Sequence, residues 1–242
     1  MKSFHYDIVD STNSVAKELL KLHDEVIVTT DEQISGRGRN GHMWESGIGT
    51  DILFTYAVKS SLYPIKQPLM YQACAALAVQ AFLLEILPKE ADIALKYPND
   101  VYVRFNNNIG KISGSLIEVE YMGNQLSSII TGIGINVNSN PFHISEHTYS
   151  ISIAHILSNP LNLNDMYDSF IKKFLWFIAD DEYSTIEKWV FALNLIGKKI
   201  IHVQSELEYT VQAFTQEGFL ICSREDQVIT LHSGDSFKYD LF

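Results

Sequence analysis

Cysteine is nearly absent from this chain of 242 residues, which has only Cys74, inside an apolar stretch, and Cys222, in a strand-like run. Neither has a second cysteine or a histidine beside it at metal-ligand spacing, and the eight histidines are scattered singly, so no structural zinc site is expected. Both cysteines read as reduced core thiols of a cytoplasmic protein. Positive charge is also scarce. A formal net charge of -11 excludes a surface built to neutralise a phosphate backbone, and nucleic acid is not an expected partner. No apolar run follows Lys2, which argues against a secretory signal. The most apolar helical stretch, Leu69 to Leu87, is interrupted by Gln72, Gln80 and Glu85, whereas a membrane span wants about 20 predominantly apolar residues; it reads as a buried helix.

What is present suits an ordinary globular protein. Hydrophobic residues make up 46% of the chain and aromatics 12%, enough to bury a sizeable core in one domain or in a large domain plus a small one. Asp10, Ser11 and Thr12 precede apolar positions at Val15, Ala16, Leu19, Leu20 and Leu22, the spacing of a capped amphipathic helix. Strand-like runs follow at Val26 to Thr30 and Asp51 to Val58, before the long helix that Pro88 ends. Ile93 to Val103 is strand-like but holds Pro98, which forces an interruption, an edge or a bulge. Lys111 to Tyr121 and Gln125 to Val137 face each other across Met122-Gly123-Asn124 as a hairpin. Asn164 can cap a helix from Asp165 to Ala179, and another spans Ser184 to Leu195. From Gly197 the pattern becomes five short strands, Lys198 to Val203, Leu207 to Phe214, Phe219 to Ser223, Val228 to His232 and Ser236 to Leu241, which suggests a small barrel. The fold class is α+β, with residues 1–195 as the larger domain and 196–242 as the smaller.

Two of the four arginines lie in one segment, Gly36-Arg37-Gly38-Arg39-Asn40-Gly41-His42-Met43-Trp44. Glycines let backbone amides approach a ligand, and arginine supplies forked donors for carboxylate and phosphate. The segment lacks the Gly-Lys-Ser/Thr ending of a phosphate-binding Walker loop and opens no helix, so it is neither that motif nor a dinucleotide fingerprint. Taken alone, such a glycine string reads first as a solvated turn.

Four more segments stand in order around it: Asp10-Ser11-Thr12-Asn13, Lys96-Tyr97-Pro98-Asn99-Asp100, Lys111-Ile112-Ser113-Gly114-Ser115-Leu116-Ile117-Glu118 and Gly132-Ile133-Gly134-Ile135-Asn136-Val137-Asn138. With all five the sequence resembles the biotin protein ligases over essentially its whole length. The resemblance implies a mixed sheet with flanking helices, of the class II aminoacyl-tRNA synthetase-like biotin/lipoate ligase type, followed by an SH3-like barrel. It implies activation of biotin by ATP, with Mg2+ on the polyphosphate, to biotinyl-5'-AMP, and transfer of biotin to a lysine of a biotin carboxyl carrier domain. Some members carry an N-terminal DNA-binding domain; this chain begins at the catalytic domain, so a repressor function is not expected.

Carried over by motif, the resemblance assigns Ser11, Thr12, Asn13 and Gln33 to the biotin ureido head. It assigns Arg37, Gly38 and Arg39 to the biotin carboxylate and the phosphates, and Lys111 to a place between carboxylate and α-phosphate. Trp44 and Asn136 would hold the adenylate, and Asn99 and Asp100 would lie near the nucleotide and the transfer site. Bringing a carboxylate to a phosphate needs fixed cations, which Arg37, Arg39 and Lys111 offer, and protecting a mixed anhydride from water suits a glycine-rich loop that orders over its ligand. An acceptor lysine must lose a proton despite an ordinary pKa of about 10.4, and Asp100 is the candidate base; it could instead cap a turn. Ser11 to Asn13 could equally serve as helix caps. Two departures stand out: Asn40 and His42 occupy positions where many members carry arginine or lysine, and Tyr97 replaces a tryptophan. A lipoate or octanoate ligase or transferase is the alternative enzyme, and a non-catalytic biotin-binding module the alternative from another class. A homodimer through exposed strands is left open.

Overall fold

The computed structural model describes residues 1–62, 67–145 and 148–242. The larger sheet contains β1 (Lys2–Val9), β2 (Glu25–Gln33), β3 (Ile52–Lys59), β4 (Asp92–Lys96), β5 (Asp100–Phe105), β6 (Asn108–Met122) and β7 (Gln125–Ile135). Its order is β1-β2-β3-β7-β6-β5-β4, with β1 and β2 parallel and every other pair antiparallel. Pro98 interrupts as expected: it falls between β4 and β5, in a turn with a cis Tyr97–Pro98 peptide. Gly123, at φ 62°, closes the β6–β7 hairpin.

Successive strand residues face opposite sides of a sheet, and both sides are covered here. On one side Ile27, Phe54, Tyr56, Val58, Ile129, Ile133 and Ile135 join the main core beneath α2 (Pro68–Ile86) and α4 (Leu163–Ala179). On the other, Val26, Val28, Ala57 and Ile130 pack against Ala16 and Leu20 of the segment around α1 (Thr12–Leu19). Helix α2 is apolar and long enough to span a membrane by length and composition, but 67% of that window is buried inside the protein. It ends at Ile86 because Leu87, preceding Pro88, adopts extended backbone at φ −79°, ψ 151°. Cys74 is buried in α2 and Cys222 in the second sheet, both as free thiols, and burial pushes them up to about 12 and about 11 respectively.

Three local expectations shift. Helix α4 is capped by Asn162, not Asn164: the Asn162 side chain accepts from the backbone N–H groups of Asn164 and Asp165, so Asn164 already lies inside the first turn. The next helix, α5 (Glu182–Leu193), starts two residues early because the Asp181 carboxylate accepts from Ser184 N–H. Strand β1, a short hairpin of His143–Ser145 with Thr148–Tyr149, and α3 (Ile153–Leu157) are additions to the sequence reading.

The C-terminal runs form a five-stranded, barrel-like antiparallel sheet of β10 (Lys199–His202), β11 (Glu208–Phe214), β12 (Leu220–Arg224), β13 (Gln227–Leu231) and β14 (Phe237–Lys238), after β8 and β9 of the short hairpin. The final strand is much shorter than the six residues expected. This sheet is fused to the larger one by an aromatic cluster: Tyr97 lies 6.2 Å from Trp189 and from Phe214 and 5.9 Å from Phe237, centroid to centroid. The Tyr97 hydroxyl donates to the Gly218 carbonyl at 3.0 Å, which gives the tyrosine a partner at this buried junction. Trp189, fully buried there, is the largest such side chain. Trp189→Ala should lower the unfolding free energy by about 3–5 kcal/mol, measured by urea denaturation; a loss below about 1 kcal/mol would show that this junction carries little of the stability.

Candidate active site

Strand pairing alone lays out the floor of the site. Directly paired residues share a face, so the register places Thr55 beside Gly132, Leu116 beside Gly132, Gly114 beside Gly134, and Asp100 beside Gly114. This row lies on the same face as Ala57 and Ile130, the face that α1 covers. Helix α1 is eight residues long, and beyond its N-terminus the floor is opened by Gly114, Gly132 and Gly134. Added methyl groups would lie 2.3 Å from Asn13 Oδ1 at Gly132, 2.3 Å from the Trp44 ring at Gly134, and 3.0 Å from the Lys111 side chain at Gly114. The result is a cavity of about 400 Å³ between the floor, α1 and the glycine-arginine loop.

All twelve residues selected from the sequence line this cavity: Ser11, Thr12, Asn13, Gln33, Arg37, Gly38, Arg39, Trp44, Asn99, Asp100, Lys111 and Asn136. At one end, Ser11, Thr12 and Asn13 are buried at the start of α1. Ser11 occupies the N-cap position without a side-chain capping bond, so the helix does not consume its hydroxyl as a cap. Gln33 Oε1 accepts from Thr12 N–H at 2.8 Å and lies 3.1 Å from the Thr12 hydroxyl. Buried Thr55 stands 2.8 Å from the Thr12 hydroxyl and 2.7 Å from Asn13 Oδ1, and the Asn13 amide donates to Glu118 Oε2 at 2.7 Å. Thr55 and Glu118 belong to this network and had no role in the sequence reading, as had Glu45, Lys96 and Ser115, which line the cavity. The available signals were a threonine inside the apolar run Ile52 to Val58 and a carboxylate at the end of the Lys111 motif.

At the other end the cations gather. Lys111 Nζ lies 2.7 Å from Asp100 Oδ1, an ion pair outside hydrogen-bond angles, and 5.7 Å from the centre of the Trp44 ring. Both partners are largely shielded, at 18% and 19% side-chain exposure, so this pair is less screened than a surface one. Arg39 donates to Asn99 Oδ1 at 3.1 Å, and Asn99 in turn donates to the Ser115 carbonyl at 2.8 Å, which fixes its amide orientation. Asn136 donates to the carbonyls of Lys111 and Ile151, both at 3.2 Å, and thereby holds the backbone that carries the lysine.

The loop closes on itself as a small hairpin. Gly38 N–H donates to the His42 carbonyl at 2.7 Å, Trp44 N–H to the Gly36 carbonyl at 3.0 Å, and Arg37 bridges Met43. The turn runs through Asn40 and Gly41, both at positive φ, 53° and 79°. Asparagine tolerates that region better than most residues, which gives Asn40 a backbone reason for its place. The fold brings the hairpin over the floor so that Trp44 lies on Gly134, its indole N–H buried without a partner among the described residues.

With this geometry in hand, comparison with known proteins is specific. Residues 6–136 match the model of the biotin/lipoate A/B protein ligase family. The chain belongs to that family. Among its relatives, the bifunctional ligase/repressor BirA of Bacillus subtilis is 31% identical over 139 residues, covering 57% of this chain and 41% of that protein. The chloroplastic biotin–protein ligase 1 of Arabidopsis thaliana is 25% identical over 229 residues, covering 88% of this chain and 60% of that protein. The chain thus spans about half the length of these curated relatives. A solved biotin protein ligase from Aquifex aeolicus, in complex with biotin and ATP, superposes with a TM-score of 0.75 at 22% identity, covering 98% of this chain and 97% of that one, and shares its fold.

For this ligase-family chain the packing of Trp44 on glycine is directly testable. Gly134→Ala meets the Trp44 indole ring, a side chain and not backbone, so the indole should be displaced as a whole while the unfolding midpoint changes by less than about 4 °C. The readout is a changed tryptophan emission spectrum; an unchanged one would contradict the close packing of Trp44 on the floor.

Proposed function

We propose that this chain is a biotin protein ligase: it joins biotin to ATP as biotinyl-5'-AMP, releasing pyrophosphate, and passes the biotin to a lysine of a carboxyl carrier domain. The observation that carries the reading is the polarity of one cavity, with Ser11, Thr12, Asn13 and Gln33 at the α1 end, Arg39 and Lys111 at the other, and Arg37 on the loop beside Glu118. Family membership and the names of its relatives support it. A bicyclic ureido head has N–H donors and a carbonyl acceptor to meet the buried Ser11, Thr12 and Asn13 and the half-buried Gln33. A dithiolane ring has neither an N–H donor nor a carbonyl to offer this polar wall. That asymmetry favours biotin over lipoate or octanoate within the family.

In the first step a carboxylate oxygen attacks the α-phosphorus, forming the mixed anhydride as the bond to pyrophosphate breaks. Lys111 and Arg39 offset the charge of the two approaching anions in a site shielded from water, while Asp100 keeps the lysine aimed until the ligands arrive. ATP would come as its magnesium complex. That ion would be held mainly by phosphates and water, which fits a cavity whose buried-side carboxylate, Asp100, already faces Lys111. In the second step the acceptor amine attacks the acyl carbon, AMP leaves, and Asp100 is the adjacent carboxylate able to accept the proton. The domain plan follows the family, a catalytic unit through about residue 195 and an SH3-like unit beyond it.

The assay is pyrophosphate release with ATP, magnesium and either biotin or lipoate. Biotin should support turnover and lipoate should not; activity with lipoate alone would overturn the assignment. Lys111→Ala should keep the fold and slow release by about 10²–10³-fold, and an unchanged rate would remove the lysine from the chemistry. Binding of biotin without any pyrophosphate release would favour the non-catalytic module.

A further inference from the structure

We propose that Glu118 is a positioning residue that orients the head-group end of the cavity and ties the arginine loop to it; this rests on the biotin reading above. Glu118 sits on β6 opposite Ile130, on the floor face of the sheet, and a single carboxylate oxygen meets two walls. Its Oε2 accepts from the Asn13 amide at 2.7 Å and from Arg37 Nη2 at 3.2 Å.

An ionised carboxylate only accepts hydrogen bonds, so it admits one orientation of the Asn13 amide, with the NH2 group toward Glu118. The Asn13 carbonyl then faces Thr55, whose hydroxyl hydrogen is committed to it at 2.7 Å. The Thr55 oxygen also lies 2.8 Å from the Thr12 hydroxyl, which has Gln33 Oε1 at 3.1 Å as an acceptor of its own. One charge at the end of the chain therefore sets the donor and acceptor directions of Asn13 and Thr55, beside the Thr12 hydroxyl at the head-group end. Directional order of this kind is what a neutral, freely rotating network lacks.

The two bonds at Glu118 differ in strength. Its contact with Arg37 is exposed, with side-chain exposures of 37% for Glu118 and 48% for Arg37, and such pairs contribute little. The bond to Asn13, buried on its amide side, is short and charge-assisted. Arg37 can therefore leave for an incoming carboxylate or phosphate while Glu118 keeps Asn13 in place. The effect belongs to biotin recognition and not to the nucleotide end, where Lys111 and Arg39 have separate partners.

Steady-state pyrophosphate release by the full chain tests this, with KM measured separately for biotin and for ATP and the unfolding midpoint recorded for each variant. Glu118→Leu, which removes the acceptor, should raise the biotin KM by about tenfold or more while leaving the ATP KM within about twofold. Glu118→Gln, which keeps an acceptor oxygen and loses the charge, should give a smaller rise of about threefold. If the leucine variant does not fold, the glutamine variant carries the test, and an unchanged biotin KM there overturns the proposal. Equal rises for biotin and ATP would also overturn it, since they would mark a general structural defect. A wild-type chain that releases no pyrophosphate with biotin would sink the functional reading and this inference together; wild-type turnover with unaltered Glu118 variants sinks the inference alone.

Discussion

A sheet covered on both faces has room for a ligand only where side chains are missing from one of them, and here Gly114, Gly132 and Gly134 clear that space. The residues between the two β7 glycines and beyond them, Ile133 and Ile135, point the other way into the main core, so the same strand builds the protein and vacates the cavity. Every other site group is placed relative to that clearing. Asn13 lies over Gly132, the Trp44 ring over Gly134, and the Lys111 side chain beside Gly114. A methyl group at any of the three would meet one of these groups before it met a ligand.

The cavity separates neutral recognition from charge. Its α1 end is an ordered set of hydroxyl, amide and backbone groups, and its loop end holds the cations, each with an internal partner: Lys111 with Asp100, Arg39 with Asn99, Arg37 with Glu118. Lys111, held by Asp100 in a largely shielded pair, and Arg39, held by Asn99, are oriented by the protein itself. Such preorganisation is how a site stabilises charge that develops during reaction.

Much of this was legible in the sequence because the signals are local. The alternation of glycine and isoleucine from Gly132 to Ile135 carries the period of a strand, and the concentration of arginine at Arg37 and Arg39 marks the loop. The hairpin turn at Gly123 and the break at Pro98 follow from backbone chemistry alone. What was not legible depends on register between distant strands. Glu118 reaches Asn13 only because β6 and β7 pair as they do, a contact across 105 positions, and Thr55 joins them through the β3–β7 pairing. Tyr97 likewise reads as an aromatic replacement inside a motif, while its work is to seat the second sheet through Gly218, Trp189 and Phe237. Strand β1 does carry the period of a strand, Phe4, Tyr6 and Ile8 alternating with His5 and Asp7, but as a mostly exposed edge strand it gives that short run little apolar weight. The cap at Asn162 was displaced because two asparagines stand two residues apart and only side-chain geometry selects between them.

The central claim is that one cavity holds a carboxylate and an α-phosphate together beside Lys111. The most direct measurement is the mass of the small-molecule product after the chain is incubated with biotin, ATP and magnesium in the absence of an acceptor. The account predicts a species with the mass of biotinyl-5'-AMP, formed by the wild type and lost in Lys111→Ala. Free biotin and intact ATP as the only species recovered from the wild type would contradict it.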